Sequence, residues 1–148
     1  MPAVEGLAAL GLLRDKFPNR TDRLRLRSYV PLESVDGQYL YYVKLSQKAL
    51  WRLPLEGGEE SQVLPAVAGL GGTAYAPGKE GIYFVRPTAQ GSGQELAFLR
   101  LSTGQITSVV TIPRTSGLGL ALSPDERLIL YSQTEQVGSD LMLVENFR

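Results

Sequence analysis

The feature that most constrains this chain is a spacing. Leu50, Leu96 and Leu141 recur about every 45 residues, each in the same local order of turn, apolar strand, loop and strand. Around them Leu40, Ile82 and Ile129 coincide in register, as do Tyr42, Phe84 and Tyr131. The runs between turn residues are short and rich in branched and aromatic side chains, the pattern of strands. No helical period lies between them, which excludes an all-α or a βαβ chain. An ordinary β-sandwich would explain short strands, but not their recurring order. Four short strands per repeat of this length is the signature of a propeller blade.

Taken in order, the first copy has a turn at Ser34-Val35-Asp36-Gly37, strands over 39–45 and 49–55, and a fourth strand from Ser61. The second has a small-residue run over 69–77, a turn at 78–81, a strand from Ile82, another over 95–101 and a fourth from Ile106. The third has small residues over 117–121, the turn Ser123-Pro124-Asp125-Glu126, a strand over 127–133 and a last one over 140–147. The expected fold is therefore all-β: a partial β-propeller of about three four-stranded antiparallel blades, over 27–67, 68–115 and 116–148, the last lacking its outer strand. Residues 1–26 form an atypical N-terminal segment, with a candidate closing strand at 21–30.

The residues suit such blades. An innermost strand runs beside a crowded axis and wants small side chains, which the glycine-rich runs supply. A second strand is covered on both faces by neighbouring blades, so Tyr41, Tyr42, Tyr83, Phe84 and Tyr131 fill it with large apolar area. Asp36 and Asp125 are placed to accept backbone N–H groups and close turns, with Pro124 favouring the turn at its own position. Gly37 supplies a positive φ at little cost; Glu126, at the matching place, does not, so that turn is expected to be distorted or of another type.

With these turns in view the chain resembles the TolB-like, WD-repeat-related propellers whose blades carry a Ser-Pro-Asp-Gly turn. Residues 34–37 and 123–126 each keep three of the four, and 76–81 keeps the Pro and the final Gly. The stretches LWRLPLEGGEE and VGSDLMLVENFR are similar to the last blades of propellers at the C-terminus of certain large bacterial proteins. Those proteins carry a winged-helix DNA-binding domain or, in relatives, a kinase domain. The resemblance covers about residues 28–148. It implies an interaction or ligand-sensing module, a fragment or remnant of a larger bacterial regulator. The alternative it implies is the propeller of a hydrolase or peptidase, or a periplasmic TolB-like transport component.

Composition narrows the chemistry. There is no histidine and no cysteine, which removes Ser-His-Asp and Cys-His catalysis and the usual metal ligands of those types. The inner strands carry no Asp or Glu to hold a channel metal. The chain is accordingly read as not an enzyme, with no metal and no cofactor. Fifteen basic residues balance fifteen acidic ones, so no direct binding to nucleic acid or membrane is expected. No apolar run approaches the ~20 residues needed to cross a bilayer, and residues 4–13 lack the basic start and cleavage site of a signal peptide. No compartment follows from this.

Two features remain as candidate partner contacts. Arg23, Arg25 and Arg27 alternate with leucines on one potential strand face, as either an anionic contact or a solubilising edge. Trp51 is either a surface anchor or blade packing. The partner is expected to be a protein or small ligand. An arc of three blades also exposes two ends, which points to self-association to complete a ring.

Overall fold

The computed structural model describes residues 28–44, 46–68, 73–91, 93–112 and 116–133. Among them there are ten strands and no helix. The first sheet holds β1 (Ser28–Glu33), β2 (Tyr39–Lys44), β3 (Ala49–Pro54) and β4 (Ser61–Leu64), in that spatial order. The second holds β5 (Tyr75–Pro77), β6 (Gly81–Pro87), β7 (Gln94–Arg100) and β8 (Ile106–Ile112), again in chain order. The third pairs β9 (Ser116–Leu122) with β10 (Ile129–Gln133). Every pairing is antiparallel. This is an all-β arrangement of meandering four-stranded sheets, consistent with a partial propeller-like fold.

The expected last strand at 140–147, with Leu141, lies outside the described residues, as do 69–72. Of the candidate closing segment, 28–30 lie in β1 beside β2, and 21–27 fall outside the described residues.

Irregularities recur with the repeat. In β4 the pairing jumps from Leu50↔Leu64 to Trp51↔Gln62, which leaves Val63 as the extra residue. In β8 it jumps from Leu96↔Val110 to Ala97↔Ser108, which leaves Val109 extra at the matching place. Such bulges bend an outer strand and sharpen its twist. The inner strands are broken too. β1 shifts register between Tyr29 and Leu32, around Pro31, which has no N–H to give a ladder. β9 shifts opposite the step from Tyr131 to Gln133, and Gly119 within it takes φ +78°.

The sheets pack face to face. Between the first and second lie Tyr41, Val43, Leu50 and Leu64 on one side and Tyr75, Ile82, Phe84, Ala97 and Leu99 on the other. Between the second and third lie Ala74, Ala76, Val85, Leu96 and Ile112 against Leu120, with Leu122 and Ile129 at the margin. Alternation along a strand sends successive side chains to opposite faces. β6 thus gives Ile82 and Phe84 to one neighbour and Val85 to the other, and both faces are buried. A third apolar set, Leu40, Tyr42, Leu53 and Leu55, is buried on the far face of the first sheet.

Gly81 has a packing reason of its own. A Cβ there would stand 2.0 Å from the Leu99 carbonyl oxygen and 2.6 Å from the Phe98 ring. The Phe98 ring occupies that space and lies against Tyr83, ring centres 4.7 Å apart.

Candidate interaction surface

The turns at 34–37 and 123–126 are the same object built twice. In the first, the Ser34 hydroxyl donates to Asp36 Oδ1 (2.5 Å) and accepts from the Gln38 and Tyr39 amides at 3.1 and 2.9 Å. Asp36 Oδ1 accepts from Gln38 N–H as well, at 3.0 Å. In the second, Ser123 donates to Asp125 Oδ1 (2.6 Å) and accepts from the Arg127 and Leu128 amides, while Asp125 accepts from Arg127 N–H at 3.2 Å. Backbone bonds close both: Gly37 N–H to Ser34 O at 2.9 Å, and Glu126 N–H to Ser123 O at 2.8 Å. The serine hydroxyl first, and then the backbone amides, hold both aspartates below the usual carboxylate range.

This corrects the expected distortion at Glu126. Glu126 takes φ +58°, beside φ +68° at Gly37, so the turn keeps its type. A left-handed side chain costs about 1–2 kcal/mol, and the structure shows an offsetting contact. Glu126 Oε1 accepts from Lys79 N–H at 2.8 Å, in the turn of the second sheet. That second turn, at 77–81, has neither the serine nor the aspartate of the other two. It is closed by Gly78 N–H to Gly81 O and by the glutamate lent from the next sheet.

Pro124 is exposed within its turn. Trp51 is partly buried on β3 against Leu40, Tyr42, Leu53 and Leu55. Lys44 Nζ lies 3.6 Å from its ring centre, a cation–π contact. Glu60 accepts from both Lys44 Nζ and the Tyr42 hydroxyl. The indole Nε1 is buried without a hydrogen-bond partner. Arg23, Arg25 and Arg27 lie outside the described residues.

Two apolar surfaces escaped the sequence reading. Ile106, Val109 and Val110 are exposed along β8, whose seven residues carry no charge and leave only Ile112 buried. The bulge puts Val109 and Val110 side by side, which simple alternation would not. Beside them Glu95 takes a bond from Ser108 Oγ (2.8 Å) and one from Arg86 Nε (2.6 Å), and these lower its pKa in that order. The second surface is Leu128 and Leu130 on the third sheet. Tyr75 and Tyr41 have phenols raised by burial and are structural: Tyr75 donates to the Tyr41 carbonyl at 3.2 Å. No cluster of three acidic side chains able to hold a metal occurs among the described residues, and none of them forms a helix long and apolar enough to cross a membrane.

No family model matches the chain. No curated protein matches it either. Among solved structures it is similar to the crystal structure of a "putative 6-phosphogluconolactonase" from Bacteroides uniformis, at 14% identity and a TM-score of 0.41. The match covers 69% of this chain and 32% of that one, so the chain spans about a third of its length. One expectation is corrected by this. The chain was read as not an enzyme from its side-chain inventory, and the solved structure it resembles bears an enzyme's name. A blade scaffold hosts catalysis and binding alike, so the missing histidine and the acid-free inner strands do not exclude an activity. The likeness carries no substrate across. What stands is the fold class: antiparallel sheets of a propeller-like, all-β chain.

Proposed function

We propose that the chain is a protein-recognition part of a β-propeller belonging to a larger bacterial regulatory protein. The turns and terminal stretches that resemble TolB-like, WD-repeat-related propellers support the setting. The observation that carries the recognition role is β8. It is an outer strand of seven uncharged residues, six of them β-branched, with Ile106, Val109 and Val110 exposed. Exposed outer strands are usually blunted by charge. Here the bulge at Val109 bends the strand but no charge guards it, so apolar side chains face outward where a partner's apolar surface can cover them. The partner is a protein.

The test is site-specific photo-crosslinking in the host cell, with a photoreactive residue replacing Val109 and, as control, Glu56 in the exposed hairpin loop. A discrete adduct from position 109 and none from position 56 supports the reading. Equal, diffuse labelling from both positions, or none from either, overturns it.

A further inference from the structure

β8 is the edge strand of a sheet that has another sheet packed on each face, so its free side does not depend on how many sheets follow. In an antiparallel sheet the residues of a strand send their N–H and C=O groups alternately to one neighbour and to the other. Two bonds set the phase here. Leu101 N–H donates to Glu80 O at 3.1 Å, on the β6 side, and Arg100 N–H donates to Gln105 O at 2.9 Å, on the β8 side. Counting back along β7, Phe98, Leu96 and Gln94 face β8, where the register sets Thr107, Val110 and Ile112 opposite them. The backbone groups of Ile106, Ser108 and Thr111 therefore point away from the sheet. All three residues are exposed. Among the described residues no strand pairs with that side of β8 and no loop bond reaches it. A row of unpaired N–H and C=O groups is a template for another strand. β4, the matching strand of the first sheet, is only four residues long and follows Glu59 and Glu60. A short edge with charge beside it resists such pairing, and β8 has neither protection.

The geometry points to strand addition: β8 takes up an extended, uncharged segment of its protein partner as a further strand of the second sheet. This rests on β8 being the recognition surface and adds how the partner is held. Main-chain bonds supply affinity in such a contact, and side chains on either face supply the choice of segment. Ile106, Val109 and Val110 offer apolar contact, and no residue of β8 offers a counter-charge. The bulge decides against a second copy of this chain as the occupant. The outward positions are spaced two and then three residues apart, at 106, 108 and 111. An unbulged antiparallel strand can meet all three, as β7 does on the inner side with 107, 110 and 112. Another β8, reversed by a two-fold axis, presents the same irregular spacing in the opposite order. No register then sets all three outward positions opposite outward positions. Setting 108 against 108 places 106 opposite the inward-bonded 110. The partner's segment is accordingly a regular strand from a different protein.

The test keeps the photoreactive residue at position 109 in the host cell and adds a second substitution. Thr111→Pro removes an outward N–H and no bond to β7, an orientation in which an edge strand tolerates proline. Ile106→Pro does the same at the first residue of the strand. Thr111→Ala keeps the N–H and is the control. The adduct should fall about tenfold or more in each proline variant, because a carbonyl of the partner is left unpaired. It should stay near the parent level in Thr111→Ala. Thermal melts of the purified chains show which proline variants fold, and one that folds is enough to decide. If neither folds, the outward assignment is wrong and the inference falls. An adduct undiminished in a folded proline variant overturns strand addition and leaves β8 as a side-chain contact. An adduct lost equally in Thr111→Ala overturns it as well. Absence of any adduct from the parent removes the recognition role and the inference with it. An adduct of twice the chain's mass identifies a second copy and overturns the choice of partner.

Discussion

β6 and β10 have the same role in the repeat and opposite surroundings. Phe84 on β6 is 1% exposed, while Tyr131, its register partner on β10, is 37% exposed. The side chains are alike in size and shape. What differs is the cover: Phe84 is closed in by the first sheet, whereas Tyr131, on the face of β10 that Ile129 turns toward the second sheet, is covered only in part. Burial in this chain is therefore a property of position in the stack. A residue pattern states which face could be covered, and the neighbouring sheet decides whether it is.

That contrast can be broken most forcefully at its buried end. Phe84→Ala should cost about 3–5 kcal/mol, by lost transfer energy and the cavity left between the first and second sheets. Tyr131→Ala should cost less, about 1–2 kcal/mol, since over a third of its surface is already in water. Urea unfolding of the two variants, compared with the parent, checks the difference. Similar losses would mean that the third sheet is packed as tightly as the second.

A smaller effect is expected from glycine positions, again one in each sheet. Gly81→Ala would drive a methyl group to within 2.0 Å of the Leu99 carbonyl oxygen, so the strand or Phe98 must shift. Overpacking of this kind costs about 1–3 kcal/mol. Gly119→Ala meets nothing within 4 Å but must hold φ +78°, so its penalty is conformational, about 1–2 kcal/mol. Adding a side chain that clashes should also perturb the Tyr83–Phe98 aromatic signals in near-ultraviolet circular dichroism. Gly119→Ala should leave them alone.

The link between the second and third sheets can be sharpened at Glu126. Glu126→Ala keeps the left-handed backbone and loses the acceptor for Lys79 N–H, a loss of about 1 kcal/mol. Glu126→Gly also loses that acceptor but relieves the backbone, so it should be more stable than Glu126→Ala. Thermal melts of the two variants decide this. If the alanine variant is the more stable, the left-handed backbone at position 126 carries no strain for the Lys79 contact to offset.

The least of the expected effects is on pH. Asp36, Asp125 and Glu95 all have folded pKa values below their ordinary ones. A carboxylate lowered in the folded state binds fewer protons there than when unfolded, so its contribution is present above the unfolded pKa, near pH 4, and is lost as pH falls through the folded value. Urea midpoints should hold steady from neutral pH to about pH 5 and fall below about pH 4. Ser34→Ala and Ser123→Ala, which remove the leading cause of the aspartate shifts, should flatten that fall. An unchanged slope would assign it to other groups.

Much of the fold was legible because it rests on period and punctuation. The starts of β2, β3, β4 and β8 were readable from Tyr39, Ala49, Ser61 and Ile106, each following Gly, Ser or Gln turn residues. Serine was underrated. Asp36 and Asp125 were read as closing the turns, but Ser34 and Ser123 each make more of the bonds, and one sequence shows no hydroxyl orientation. Glu126 was read as an obstacle because glycine has the cheaper φ. The contact that offsets it comes from Lys79, some 47 residues away, and no local rule reports that. The bulge at Val109 was invisible for the same reason: it depends on the register with β7. Leu128 and Leu130 look like core from their pattern alone, and only the missing cover reveals them as surface.

The central claim is that one repeated sheet is packed on both faces in the middle of the stack and open on one face at its end. Native-state amide hydrogen exchange, at a concentration low enough for single chains, tests it most directly. The claim predicts that the amides of β6 and β7 exchange only through global unfolding, while those of β10 exchange through a partial opening of lower free energy. Equal protection across β6 and β10 would contradict it.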